Sequence, residues 1–354
     1  MESSNDQPLD WLHAFTNSSL HLILFMTEQC NFRCVYCYED FKLNNIQDEV
    51  VVGVKNLILK RIPEIKHLAI SYFGGEPLLN KKGVLDLTTW AKELCEEHGV
   101  KYHGNITTNG YTLDKKTFDS IFQKGITNYQ ITIDGNKDSH DKLRPTINGK
   151  STFDKIIGNI KMMKKSPYNF ECIIRLNVSD SNFEGVKSFI KNEAYAICLN
   201  DSRFKIHFHP IWGRPELILT QKNQLEELNV MVDSFGLTHT EESGLTDLNN
   251  NNKEKIDNSA TKKGREADYV CYASKANSFV IRADGTLQKC TVALKDDINN
   301  IGKLNSDGTM ELDSDKLSKW IFSKDKGCPL QALALEKLAV PYKDAGKFDN
   351  PISL

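Results

Sequence analysis

The chain has 354 residues, of which 45 are Lys or Arg and 47 are Asp or Glu, so its formal charge is −2 with neutral histidines. This near balance excludes nucleic-acid binding driven by bulk electrostatics, because such binding needs a basic surface. With 40% hydrophobic and 26% charged residues the chain can bury a core, and its length allows one large domain with an appendage.

The sequence contains no run that predicts a membrane helix or an export signal. The longest apolar run, Leu20 to Met26, is far shorter than the roughly 20 residues that span a bilayer. The segment from Met1 to Trp11 is acidic and polar, whereas a signal peptide begins basic and continues apolar. We therefore expect a cytoplasmic protein with neither a membrane nor a nucleic acid as partner.

Short β-type runs alternate with helix-type stretches through the first two thirds of the chain, which is typical of a parallel sheet covered by helices. Strands are predicted at 20–27, 67–73, 102–108, 129–134, 170–178 and 204–211. Helices are predicted at 48–60, 81–97, 114–123, 152–164, 183–191 and 221–235. Ser151 and Asp154 have the spacing of a capping box and predict the start of the fourth helix.

Six strand–helix units predict an α/β fold, a partial (β/α)6 TIM barrel, in which functional groups gather on the loops that follow the strands. Polar and glycine-rich clusters fall on these loops. They are Cys30 after the first strand, 74–77 after the second, 107–110 after the third and 134–135 after the fourth. We expect the functional site at this end of the barrel.

Composition divides the chain into four parts. Residues 1–19 are an N-terminal extension, and 20–237 form the predicted barrel. Between 238 and 268, Asn, Lys, Glu, Thr and Ser replace almost all apolar residues, which is typical of a linker or a mobile flap. The remaining residues, 269–354, are predicted to form a small α+β C-terminal domain that begins with a β-hairpin.

Three of the nine cysteines, Cys30, Cys34 and Cys37, have the spacing C-x3-C-x2-C. In a chain without an export signal, such clustering favours a metal site over disulfides. Three thiolates from one loop can bind three irons of a cubic [4Fe–4S] cluster, which leaves the fourth iron open to a small molecule. A structural zinc site would need a fourth Cys or His, and none is present locally.

This segment resembles the radical SAM superfamily. In that family the open iron binds the amino and carboxylate groups of S-adenosylmethionine (SAM) and delivers an electron that splits it into methionine and a 5′-deoxyadenosyl radical. The resemblance implies a SAM-binding [4Fe–4S] cluster on Cys30, Cys34 and Cys37. It also implies SAM as cofactor and a flavodoxin- or ferredoxin-type protein as reductant.

Companion motifs follow in the family's order. The sequence G-G-E-P at 74–77 resembles the glycine-rich loop whose bare backbone approaches the methionine amine. T-T-N-G at 107–110 is similar to the next loop, on the nucleoside side. I-T-I-D-G at 131–135, followed by H-D-x-x-R at 140–144, is similar to the S-x-D-G…H-D-x-x-R stretch of the SPASM-containing branch.

On this resemblance, residues from all four loops are expected to contact SAM. They are Tyr36, Gly74, Gly75, Glu76, Asn109, Thr132 and Arg144. Arg144 would pair with the SAM carboxylate. The alternative interpretation is that Arg144 is an ordinary surface arginine without a role at the cofactor. No catalytic acid or base is predicted. His207 and His209 alternate with apolar residues along the sixth strand, so either His209 lines the substrate cavity or both are hydrogen-bonded core histidines.

Cys271 and Cys290, with Gly285 five places before the second, resemble the C-x(n)-G-x4-C opening of SPASM/twitch domains, which carry auxiliary Fe–S clusters. Cys328, followed by proline, resembles the last cysteine of a C-x3-C element in these domains. The resemblance implies one auxiliary Fe–S cluster on these three cysteines, with a non-cysteine side chain, a distant thiol, water or substrate as fourth ligand. The alternative is core packing, which is also expected for Cys95, Cys172 and Cys198.

Family members with this C-terminal architecture mostly act on peptides. The resemblance therefore implies an oxidoreductase that abstracts hydrogen from a peptide or protein substrate and installs a cross-link or other modification in a ribosomally synthesised peptide. Sulfatase-maturase-like protein oxidation is one alternative, but it predicts an aspartate directly after Cys290, where Thr291 stands. A non-catalytic Fe–S or zinc protein is the other alternative.

Overall fold

The computed structural model describes residues 15–211, 218–240 and 271–321, together with Pro329. Its central strands are β1 (Ser19–Thr27), β2 (His67–Gly74), β3 (Lys101–Thr108), β4 (Ile126–Ile133), β5 (Glu171–Val178) and β6 (Phe204–Pro210). All are parallel and adjacent in chain order. The predicted partial (β/α)6 barrel is therefore confirmed.

Helices connect the strands on the outside of the sheet. They are α1 (Asp48–Arg61), α2 (Lys81–Glu97), α3 (Lys115–Lys124), α4 (Lys137–Leu143), α5 (Phe153–Lys164), α6 (Phe183–Phe189), α7 (Tyr195–Cys198) and α8 (Ile218–Ser234). A π-helical turn, Ile190–Ala194, joins α6 to α7. In β1 every residue after Ser19 is buried, because a parallel sheet covered on both faces needs a nearly continuous apolar run.

Beyond α8 the chain returns to the other edge of the sheet. β7 (Ser278–Ile281) pairs in parallel with β1. Three short antiparallel strands then extend the sheet: β8 (Thr286–Gln288), β9 (Gly302–Leu304) and β10 (Met310–Leu312). The predicted hairpin, β7–β8, is present and turns at Gly285 with φ of +86°, where glycine avoids steric strain. Its pairing with β1 was not foreseen from the sequence. The last helix is α9 (Ser314–Ile321).

Several predicted regions lie outside the described residues. They are residues 1–14 of the extension, 241–268 of the linker, and 269–270, 322–328 and 330–354 of the C-terminal domain, which include Cys328. Within the described ranges, no helix is long and apolar enough to cross a membrane.

The capping box predicted at the start of α5 is wrong. The backbone N–H groups of Thr152 and Phe153 donate to the Asp141 carboxylate at 2.8 and 2.9 Å. Asp154 forms an ion pair with Lys137 instead. A carboxylate from the neighbouring helix α4 therefore caps α5, and spacing within one segment could not reveal a partner from another helix.

Candidate active site

A cleft of about 950 Å³, including its open mouth, lies at the carboxyl ends of the strands. The three clustered cysteines, Cys30, Cys34 and Cys37, line it. So do six of the seven residues expected to contact SAM, namely Tyr36, Gly74, Gly75, Asn109, Thr132 and Arg144. The loops after four strands thus bring the predicted residues to one place.

The cysteines lie on the loop that follows β1, and all three thiols are free and partly buried. The backbone N–H of Val35, between Cys34 and Cys37, donates to the Leu143 carbonyl at 3.0 Å, which ties the loop to α4. Burial raises the pKa of Cys30 and of Cys37 to about 12. Such thiols become ligands when a metal cation replaces the proton. Three soft donors on one short loop fit an Fe–S cluster.

Glu76, the seventh residue expected at SAM, lies behind the wall of the cleft and joins two loops. Its fully buried carboxylate accepts hydrogen bonds from the Leu78 N–H at 3.0 Å and from the Thr108 hydroxyl at 2.7 Å. The Asn109 N–H also donates to it, at 2.7 Å. The Asn109 side chain then donates to Asn31 in the cysteine loop at 2.8 Å. Glu76 therefore fixes the third loop against the second, and Asn109 joins the third loop to the first.

Gly74 and Gly75 make close contacts with the protein's own backbone. A Cβ atom on Gly75 would lie 2.4 Å from the Gln29 carbonyl oxygen, and one on Gly74 would lie 2.1 Å from that of Thr27. Gly74 also has φ of +120°, a region that other residues rarely adopt. The resemblance explains these glycines by approach to the methionine amine, whereas in the structure they allow approach to the end of β1.

Arg144 is buried, so its interpretation as a surface arginine is wrong. Its Nη1 donates to the Tyr36 hydroxyl at 2.7 Å, and that hydroxyl donates to the Asp134 carboxylate at 2.5 Å. Burial opposes the charge of Arg144, but Cys34, Tyr36 and Asp134 raise its pKa well above the usual value. Its Nε is buried and has no partner in the part of the chain that the structure describes. The cation is therefore held in place while its buried Nε–H remains unpaired.

His140, from the H-D-x-x-R motif, positions this arginine. The Asp134 N–H donates to His140 Nδ1 at 3.2 Å, so the ring proton is on Nε2, which donates to the Thr152 hydroxyl at 3.1 Å. The Thr152 hydroxyl donates to the Arg144 carbonyl at 2.8 Å. Burial lowers the pKa of His140 well below its usual value, so the ring is neutral and serves as a fixed connector.

Polar residues of the strands and of the cysteine loop also line the cleft, although they belong to none of the motifs described above. They are Glu39, Gln130, Arg175 and Asn177. A signal was available near the carboxyl ends of β4 and β5, where polar and apolar residues alternate over 130–133 and 175–178. His209 also lines the cleft, whereas His207 donates from Nδ1 to the Thr240 carbonyl at 2.9 Å.

Cys271 and Cys290 are buried, and neither of them is among the residues that line the cleft. Their neighbours are in contact, because the Tyr272 hydroxyl lies 2.9 Å from that of Thr291 and accepts from the Thr291 N–H at 3.1 Å. The two cysteine segments therefore lie side by side. The core positions expected for the three isolated cysteines of the barrel are confirmed: Cys95, Cys172 and Cys198.

Residues 24–190 match the radical SAM superfamily. The chain is also 30% identical over 217 residues to the uncharacterized protein MJ0907 of Methanocaldococcus jannaschii, across 61% of this chain and 71% of that protein. Together with the cysteine-lined cleft at the end of a partial barrel, these matches define its class. The chain belongs to the radical SAM superfamily.

Two relatives with assigned activities are similar over part of the chain. GTP 3′,8-cyclase of Haemophilus influenzae (strain 86-028NP) is 28% identical over 183 residues, which cover 50% of this chain and 52% of the cyclase. The cysteine-type anaerobic sulfatase-maturating enzyme of Clostridium novyi (strain NT) is 26% identical over 221 residues, 58% of each chain. The matched segment thus spans little more than half of either enzyme.

Solved structures extend the similarity of fold beyond the barrel. The structure of anSMEcpe with bound SAM and a Cp18Cys peptide has a TM-score of 0.58 at 17% identity, over 85% of this chain and 80% of that one. SuiB of Streptococcus suis bound to SAM has a TM-score of 0.57 at 15% identity, over 93% of this chain and 76% of SuiB. SuiB is also known in complex with its precursor peptide SuiA. At these identities the similarity shows a shared fold.

Proposed function

We propose that the protein is a peptide-modifying radical SAM enzyme that installs a cross-link or another modification in a ribosomally synthesised peptide. Cys30, Cys34 and Cys37 would hold the [4Fe–4S] cluster. When bound, the cluster supplies the electron that splits SAM and yields the 5′-deoxyadenosyl radical that abstracts hydrogen from the substrate. The observation that carries the proposal is that the three thiols share one cleft with six residues expected at the cofactor.

The residues around the cysteines suit a zwitterionic cofactor. Arg144 offers a buried positive charge with an unused Nε–H, which favours a carboxylate partner. Thr132 and Asn109 line the same cleft and offer a hydroxyl and an amide. Because Tyr36 and His140 fix Arg144 before any ligand binds, we propose that the SAM carboxylate meets a preorganised cation.

A peptide is the preferred substrate class. The structures of anSMEcpe and SuiB include complexes with peptides, and the cleft of this chain is open at its mouth. Sulfatase-type oxidation is disfavoured, because Thr291 lacks an acidic group and is buried against Tyr272. GTP 3′,8-cyclase is similar over half of this chain only, so we treat a nucleotide as the competing substrate.

We further propose that residues 269–354 form a reduced SPASM-type domain attached to the barrel of 20–237. Cys271, Cys290 and Cys328 would bind one auxiliary Fe–S cluster, and contact between the segments of the first two cysteines supports this arrangement. A flavodoxin- or ferredoxin-type protein in the cytoplasm would supply the electrons.

Anaerobic reconstitution with iron and sulfide tests the proposed function. The purified protein is reduced with dithionite in the presence of SAM, and 5′-deoxyadenosine is measured by chromatography. We expect about four irons on the triad and release of 5′-deoxyadenosine. Iron binding without SAM cleavage would favour the non-catalytic Fe–S alternative, and binding of zinc in place of a cluster would favour the structural-metal alternative.

A further inference from the structure

Arg175, on β5, presents an incompletely paired guanidinium group to the cleft. Its Nε–H donates to the Asn177 side chain at 3.0 Å. Within the described ranges this is its only hydrogen bond, and it has no ion pair there. Arg175 stands opposite Thr132 of β4 in the strand register. Its bond to Asn177, two residues nearer the carboxyl end of β5, directs the side chain toward the rim of the barrel.

The carboxylate whose charge acts on this arginine, Asp134, is already engaged. Asp134 accepts from the Tyr36 hydroxyl at 2.5 Å and from the Asn177 amide at 3.3 Å. The negative charge of Asp134 also interacts more strongly with Arg144 than with Arg175. Two arginines therefore share one carboxylate in this part of the cleft. Burial lowers the pKa of Arg175, as expected for a cation that lacks a counterion of its own.

Apart from Asp134 and the second cation, Arg144, the side chains that line the cleft beside Arg175 are neutral. Thr132 and Asn177 are hydroxyl and amide groups on the same wall of the cleft. His209 lines this wall as well, and burial together with the charge of Arg175 lowers its pKa well below the usual value. A planar cation that has no carboxylate of its own suits a singly charged, planar anion such as a carboxylate. A triphosphate would require several cations.

We infer that Arg175 binds a carboxylate of the substrate, so that the enzyme selects a peptide carrying an acidic side chain or a free C-terminus next to the reacting residue. This inference rests on the proposed function and adds the chemistry of the substrate to it. The competing source of a carboxylate is SAM itself. Arg144, with its unused Nε, is the group already assigned to that carboxylate.

The test uses reconstituted, SAM-loaded protein and matched peptide probes. Acetyl-Ala-Asp-Ala-amide is compared with its Asn counterpart, and acetyl-Ala-Ala-Ala with a free carboxyl is compared with its amide, by anaerobic calorimetry. Wild type, Arg175→Gln and Arg175→Lys are measured. Lys205→Gln is the matched control, because Lys205 is a cation of β6 that pairs with Glu171 at 2.5 Å and is not among the residues lining the cleft.

We expect wild type to bind the acid of at least one probe pair roughly tenfold more tightly than its neutral counterpart, since a charge-assisted pair contributes on that scale. Arg175→Gln should abolish this preference, Arg175→Lys should retain part of it, and Lys205→Gln should keep it. The affinity for SAM should change less than about twofold in all variants.

Three results would overturn the inference. They are equal binding of acid and neutral probes by wild type, a roughly tenfold loss of SAM affinity in Arg175→Gln, and GTP binding that depends on Arg175. The second result would assign Arg175 to the cofactor, and the third would favour a nucleotide substrate. Release of 5′-deoxyadenosine by wild type is measured separately, so failure of the proposed function can be distinguished from failure of this inference.

Discussion

Glu28 and Arg282, 254 residues apart in the chain, form a partly buried ion pair that joins the end of β1 to the hairpin β7–β8. Arg282 Nε donates to Glu28 Oε1 at 3.1 Å, and the Ala283 N–H donates to the same oxygen at 3.2 Å. Glu28 is fully buried and lies two residues before Cys30. The C-terminal hairpin therefore braces the loop that carries the three cysteines.

Arg282→Gln should destabilise the fold and impair cluster loading. Removing the cation leaves the Glu28 carboxylate buried and unpaired, which costs about 3–5 kcal/mol. Anaerobic urea denaturation gives the free energy of unfolding, and iron analysis gives the loading. Lys316→Gln is the control, because its pair with Asp297 is largely exposed and should contribute about 1 kcal/mol or less. Equal losses in both variants would contradict a bracing role for Arg282.

Replacing Cys30, Cys34 and Cys37 together by Ala should abolish SAM cleavage, because no thiolate remains to hold the SAM-binding cluster. Each single replacement should have nearly the same effect. The measurement is 5′-deoxyadenosine release under dithionite. Cys95→Ala, which alters a buried thiol of α2, should retain cleavage. Release at the wild-type rate from the triple variant would refute the assignment of the triad.

Gly75→Ala should reduce iron loading as well as SAM binding. The added Cβ would collide with the Gln29 carbonyl, directly before Cys30, so the cysteine loop itself must shift. Gly158→Ala is the matched control: Gly158 lies in α5 with open space around it, and the change should stabilise the helix by about 0.5–1 kcal/mol. A Gly75 variant with normal cluster content and weak SAM binding would show that the loop acts on the ligand alone.

The buried histidines should make the fold less stable in acid. Burial lowers the pKa of His21 to about 3 and that of His207 to about 4. In the unfolded chain the histidine pKa is about 6.5, so below this pH the unfolded chain binds protons that the folded chain does not. The free energy of unfolding therefore decreases by about 2 kcal/mol per histidine as the pH is lowered from 6.5 to 5. Urea denaturation across this range measures the slope. His21→Gln should flatten it, and an unchanged slope would contradict the role of His21.

The auxiliary cluster can be tested by counting iron in the Cys30, Cys34 and Cys37 triple-Ala protein. We expect about four irons to remain, bound through Cys271 and Cys290 with Cys328. Cys290→Ala added to this protein should remove them. A triple variant without iron would mean that the C-terminal region lacks a cluster and serves another purpose.

The alternation of strands and helices could be predicted because each strand of a covered parallel sheet carries its own apolar run. All six barrel strands were predicted to within about three residues of their ends. The pairing of β7 with β1 could not be predicted in this way. A strand of four residues carries little sequence pattern, and its partner strand β1 lies more than 250 positions earlier in the chain.

The cysteines and glycines of the site follow from local motifs, whereas its electrostatics do not. Whether Arg144 lies at the surface or in the cleft depends on contacts with Tyr36 and Asp134 from other loops. Asp141 caps a helix that begins twelve residues later, and Arg175 belongs to no local motif. Each of these roles depends on side chains brought together by the barrel.

The parallel pairing of β7 with β1 has a consequence for biosynthesis. β1 is made first among the strands, yet one of its edges stays without a partner until residues 278–281 have left the ribosome. An exposed edge of an apolar strand is a template for pairing with another chain. A nascent chain stalled before this point should therefore aggregate or recruit chaperones, and iron–sulfur loading of the adjacent loop should follow release of the complete polypeptide.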